Sequence, residues 1–191
     1  MTTAKPFKLL LVLAALALSA CTVSSPENGG PSGASSASVT RARAERNQDD
    51  SVGRAVLGSL RQSDAAAFKG VSVLAWDGAI LLAGAVAKPE HRRRAEQLAK
   101  AVDGVRTVHN DLVLDENPAA AAFVPDIARE QRIYAGLLGE AKVSGAYVVR
   151  MVDGVATLLG SARSADDVAA AMDFARDADG VKWVVNHVAV K

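Results

Sequence analysis

The stretch VDGVATLLG, residues 152–160, reads as a tight turn feeding a strand that ends on glycine, and WDGAILLAG, residues 76–84, repeats it seventy-six positions earlier. Asp-Gly is a favoured pair for a two-residue hairpin turn, because both residues tolerate positive φ. The same offset aligns Gly78 with Gly154, Gly84 with Gly160, Asp103-Gly104-Val105 with Asp179-Gly180-Val181, and Asn110 with Asn186. Upstream the offset becomes 77, pairing Val56 and Leu60 with Ile133 and Leu137, so one residue was gained or lost in the intervening loop. The chain therefore carries an internal duplication of a unit of about 65 residues.

Each unit reads as helix, strand, turn, strand, helix, strand, an α+β arrangement. The first helices are expected near residues 51–62 and 126–140. Alternation puts Val71, Val73 and Ala75, and in the second unit Tyr147, Val149 and Met151, on one face of the first strand. The returning strands offer Ile80 and Leu82, or Ala156 and Leu158, to the same face. The second helices start after Pro89 and after Ser164, with apolar faces Ala95, Leu98 and Val102 against Val168, Met172 and Ala175. Gly104 and Gly180 are placed to close them as left-handed C-caps. The last strands are VRTVHNDLVL and VKWVVNHVAV. Two helices on one face of a three-stranded mixed sheet make a small unit with a marginal core, which contact between the units would help.

The N-terminus is of another kind. Lys5 and Lys8 precede an apolar run over residues 9–20, too short for a permanent span, as in an export leader. The run ends in LSAC, with Cys21 the only cysteine of the protein, so no disulfide forms within the chain. Residues 22–47 are rich in Ser, Gly, Pro and Ala and cannot build a core. As a flexible tether they would span roughly 25–30 Å. Without Lys5 and Lys8, 20 Lys+Arg face 21 Asp+Glu, a near-neutral balance that argues against a general nucleic-acid binder. The expected segments are a leader over 1–20, a tether over 21–47, one unit over 48–116, a linker over 117–125 and a second unit over 126–191.

With the glycines, the DGV before the last strand and the Asn within it in place, the unit resembles the BON domain. LSAC resembles the lipobox of bacterial lipoproteins, which implies that Cys21 becomes a lipidated N-terminus. Thr22 after it implies sorting to the outer membrane, with the protein on the periplasmic side. A lipoprotein signal followed by two such units resembles the dual-BON outer-membrane lipoproteins, the division- and outer-membrane-stress-associated lipid-binding family, related to the osmotically inducible periplasmic BON proteins. The resemblance implies an αββαβ fold in tandem, no catalysis, binding of anionic phospholipid through the second domain, and support of envelope integrity.

No constellation of residues suggests an enzyme. His91, His109 and His187 do not match one another across the repeat, and Asp77 and Asp153 read as turn residues. No metal, cofactor or small-molecule substrate is expected. A binding face is better supported. Ile133 and Leu137 have core spacing, and beside them Ile127, Tyr134 and Leu138 form a second stripe within about 40° of arc. Arg129, Arg132 and Lys142 lie nearby as a cationic rim, the composition of a helix that enters a lipid headgroup layer. The stripe could instead widen the core face or pack on the first domain. Lys88, Arg92, Arg93 and Arg94 form a second basic patch, which could equally be a solvated helix face diluted by Glu90 and Glu96. Trp183, Val185 and His187 fall on the face of the sheet away from the helices, where the other domain or the linker at residues 119–124 is expected to cover them. The alternative function is a protein-interaction module docking on an envelope assembly or secretion complex.

Overall fold

The computed structural model describes residues 42–191; Cys21, the leader and most of the tether lie outside them. The first unit runs α1 (Arg43–Asp64), β1 (Val71–Trp76), β2 (Ala79–Val86), α2 (Pro89–Lys100), β3 (Thr107–Asn110) and β4 (Val113–Leu114). A 3-10 turn at Ala121–Phe123 follows, then α3 (Ile127–Gly139), β5 (Ala146–Val152), β6 (Val155–Ala162), α4 (Ala165–Arg176) and β7 (Trp183–Val190). The architecture is α+β, with two helices on a mixed sheet in each unit. β1 and β5 pair antiparallel with β2 and β6, and β3, β4 and β7 then add in parallel.

The two Asp-Gly pairs form the expected turns. Asp77 and Gly78 have φ of 46° and 74°, and Asp153 and Gly154 have 49° and 79°. Positive φ at both central positions matches the twist of the hairpin strands. The first turn is also tied to α1, since the Asp77 N–H donates to Asp49 Oδ1 at 2.7 Å. The glycines ending β2 and β6 serve close approach instead. A Cβ on Gly84 would lie 2.0 Å from the Gly70 carbonyl oxygen, and one on Gly160 would lie 2.2 Å from that of Ala146.

Alternation predicts the cores well. Val56, Leu60, Val71, Ala75, Ile80 and Leu82 join Ala95 and Ala99 in the first. Ile133, Leu137, Tyr147, Val149, Met151, Ala156 and Leu158 join Val168, Ala171 and Ala175 in the second. Three local details differ from expectation. Helix α1 starts at Arg43, so the end of the expected tether is helical; Glu45 accepts from the Ala42 N–H at 3.0 Å and satisfies a free donor at its start. Helices α2 and α4 end at Lys100 and Arg176, and Gly104 and Gly180 take positive φ in the turn beyond. The last strand of the first unit is broken into β3 and β4. There Asn110 Oδ1 accepts from the Leu112 N–H at 3.4 Å, and Leu112 turns into the core. Asn186 makes the same contact to Val188 at 2.9 Å, yet β7 runs through.

The faces of the two sheets away from their helices meet. Trp76, Leu81 and Ala83 of the first unit form a third core with Val152 and Leu159 of the second, flanked by Leu74, Val148 and Phe123. The result is four layers, helices outside and two sheets within. Each marginal unit thereby buries a second face.

Candidate functional site

Helix α3 is capped by Asp126, whose Oδ1 accepts from the Arg129 N–H at 3.0 Å. Its inward stripe, Ile133 and Leu137, is buried in the second core, while Tyr134 packs half-buried at the core's margin. The neighbouring positions are open: Ile127 is 51% exposed and Leu138 41%. Ile127 and Leu138 are eleven residues apart, about three turns and roughly 16 Å along the helix, so they return to the same side. The stripe is therefore neither wholly absorbed by the core nor covered by the first domain. Arg132 and Lys142 are exposed as well, and Arg132 Nε donates to the Ala128 carbonyl at 3.3 Å within its own helix. Arg129 is committed elsewhere, to Asp126 and to the Asp179 carbonyl. Val124, two residues before the cap, adds a third exposed apolar side chain. It borders a groove lined also by Leu57, Arg61 and Val71 of the first domain.

The basic patch on α2 is partly spent on its own helix and the adjacent strand. Arg92 donates to the Asn110 carbonyl at 3.1 Å, Arg93 pairs with Glu90 at 3.3 Å, and Lys100 pairs with Glu96 at 2.6 Å. Asn110 returns the contact, donating to the Arg92 carbonyl at 2.9 Å and to Glu96 at 3.3 Å. Lys88 and Arg94 are exposed. Helix α3 presents open apolar side chains, with Arg132 elsewhere on its exposed surface; the α2 patch combines its cations with carboxylates.

Of the open-face residues on β7, His187 is covered by the first domain, whereas Trp183 is 68% exposed. The expectation of cover fails for Trp183, at the start of β7, because a slot rather than a packed contact separates the two sheets there. There Trp183, Val185, Val113, Phe123, Val152 and Val155 line a slot of about 260 Å³. Phe123 of the linker reaches the third core, so the linker covers part of this face as expected.

One feature of the interface was not legible in the repeat. Arg150 pairs with Glu130 at 3.2 Å, each side chain only 12% exposed, and Arg150 Nη2 donates to the Val73 carbonyl of the first domain at 3.4 Å. Burial pushes the Glu130 carboxyl up and the Arg150 guanidinium down, against the attraction between them. The first-domain position matching Arg150 is Leu74, so nothing in the first copy announced the pair.

A protein described as an uncharacterized protein in the gshII 5′ region of Anaplasma centrale is 29% identical over 126 residues, covering 65% of this chain and 83% of that protein. Among solved structures, the C-terminal domain of CdsD, a structural protein of the type III secretion system of Chlamydia trachomatis, is similar at TM-score 0.28 and 15% identity, covering 72% of this chain and 96% of that one. A second CdsD structure gives 0.27 and 19% identity, over 75% of this chain and 63% of that one. The BON domain matches twice, over residues 48–116 and 126–191, and the chain belongs to the BON domain family.

Proposed function

We propose that this protein is a non-enzymatic outer-membrane lipoprotein, anchored through acyl chains on Cys21, whose second BON domain touches anionic phospholipid and so supports envelope integrity. BON membership suggests a lipid-associated or protein-interaction module. The observation that carries the lipid reading is the open side of α3, where Ile127 and Leu138 are exposed, with exposed Arg132 further round the same helix and exposed Lys142 just beyond its end. Apolar side chains at that depth enter the headgroup boundary, and each basic residue near an anionic surface adds about 1 kcal/mol. The lipid anchor would keep this weak second contact at high effective concentration.

The test is co-sedimentation of residues 42–191 with zwitterionic vesicles and with vesicles containing phosphatidylglycerol or cardiolipin. A start at residue 42 keeps α1 whole. The expected result is salt-sensitive binding to the anionic vesicles alone. Leu138→Glu is expected to weaken it roughly tenfold or more, since it removes about 1.5–3 kcal/mol of apolar burial and adds a repelled charge. Leu138 lies outside the buried core set, so the variant should fold. Unchanged binding by the folded variant would remove α3 from the account. The second reading, docking on an envelope assembly or secretion complex, is favoured by exposed Trp183 at the rim of the slot between the sheets. Absence of vesicle binding at both low and physiological salt would leave that reading in place.

A further inference from the structure

Two histidines that do not match in the repeat meet across the domain interface. The rings of His109, on β3, and His187, on β7, stack with centroids 4.0 Å apart and planes 23° from parallel. His187 Nε2 lies 2.9 and 3.1 Å from the two carboxylate oxygens of Asp111, in the first domain. Both contacts therefore join one domain to the other. The same cleft, of about 710 Å³, is lined by Asp77 and Arg106 from the first domain and Lys191 from the second. Lys191 Nζ pairs with Asp77 Oδ2 at 2.9 Å, and Arg106 also holds Asp77. On the other side Asp111 borders the slot that Arg150 and Asp153 line.

We propose that the His109–His187 stack is an acid-released latch, which holds the two BON sheets face to face at neutral pH and lets them part when His109 is protonated. A neutral His109 ring stacks favourably on His187, whereas an imidazolium at His109 loses hydration in the interface. The Asp111 carboxylate is already engaged by His187 Nε2, so it compensates a charge on His109 only in part. Release would bare the apolar faces that now meet, Trp76 and Leu81 on one side and Val152 and Leu159 on the other. This inference does not depend on the membrane contact of α3.

The direction of the pH effect follows from His109. Its pKa is lowered from the ordinary 6.5, chiefly by burial and then by His187, with Asp111 opposing. At His109 the closed form thus binds fewer protons than the open one. Closure is at full strength above about pH 6.5 and weakens as pH falls through that value toward the depressed pKa. The nearby groups do not reproduce this effect between about pH 7.5 and 5. Glu130 is shifted up, so its protonation has the opposite sign, and Asp77, held down by the Lys191 hydrogen bond, has the same sign but titrates below 3.8, outside the range of the test.

Trp76 is buried in the interface, and the only other tryptophan is Trp183. In the full chain carrying Trp183→Phe, emission therefore reports on the interface alone. Acidification from about pH 7.5 to 5 is expected to red-shift Trp76 emission and raise the radius of gyration, with far-UV circular dichroism unchanged. Adding His109→Phe, which keeps a ring in the stack but cannot titrate, should abolish both changes. Should far-UV dichroism show that variant unfolded, His109→Gln takes its place with the same expected loss. No red shift in the parent protein, or the same shift at the same midpoint in the folded His109 variant, would overturn the latch.

Discussion

Gly84→Ala is expected to lower the stability of this protein by about 3–5 kcal/mol, a fall in Tm on the order of 10 °C. Two costs combine. The residue has φ of 110°, a conformation that a side chain strains, and its Cβ would stand 2.0 Å from the backbone oxygen of Gly70. A backbone carbonyl cannot rotate aside as a side chain can, so the start of β1 must move away from β2. That movement opens the core at Val71 and Phe68, both buried there. Gly58→Ala is the control, because it lies exposed inside α1 with nothing within 4 Å of the added atom. It is expected to stabilise by about 0.5–1 kcal/mol. Thermal and urea unfolding of both variants checks the pair. Equal effects would mean that β1 and β2 have slack at Gly84.

The second large effect is expected at Glu130. Glu130→Ala strips the partner from a guanidinium that is only 12% exposed and also removes the acceptor of the Met151 N–H at 3.0 Å. An uncompensated buried charge costs about 3–5 kcal/mol. Replacing both members, Glu130→Leu with Arg150→Met, is expected to recover most of that loss, since burying the pair was costly to begin with. The pH dependence has a sign of its own. Burial raises the Glu130 pKa above 4.5, so its contribution favours the folded state at acid pH and is lost as pH rises through the folded pKa. In Glu130→Ala this slope should vanish from stability measured by urea unfolding across pH 4–7, while the opposite slope from His109 remains. A double variant as unstable as Glu130→Ala alone would show that the pair is needed for more than charge balance.

The α3 stripe and the histidine stack place two kinds of contact on opposite sides of the second sheet. Helix α3 covers one face and leaves Ile127 and Leu138 open to solvent, while the other face meets the first domain. Leu138→Glu therefore tests one side and His109→Phe the other, and neither variant is expected to disturb the other's readout.

The repeat in the residues accounts for most of the fold. Asp77-Gly78 and Asp153-Gly154 dictate hairpins through their backbone freedom, and period-two alternation assigns Val71, Val73 and Ala75 and their counterparts to the core face. These are local properties, carried by residues one or two positions apart, so they can be read along the chain. The side of each sheet away from the helices is another matter. That the open face of β7 would be covered followed from the apolarity of Trp183 and Val185, but not that Trp183 would stay open while His187 met His109 and Asp111. Leu74 and Arg150 occupy matching positions in the repeat, yet one packs beside the apolar contact and the other carries a buried ion pair. The register and splay of two sheets across an interface depend on the sum of many side-chain volumes from distant parts of the chain. That sum has no period along the residues, and only the folded structure evaluates it.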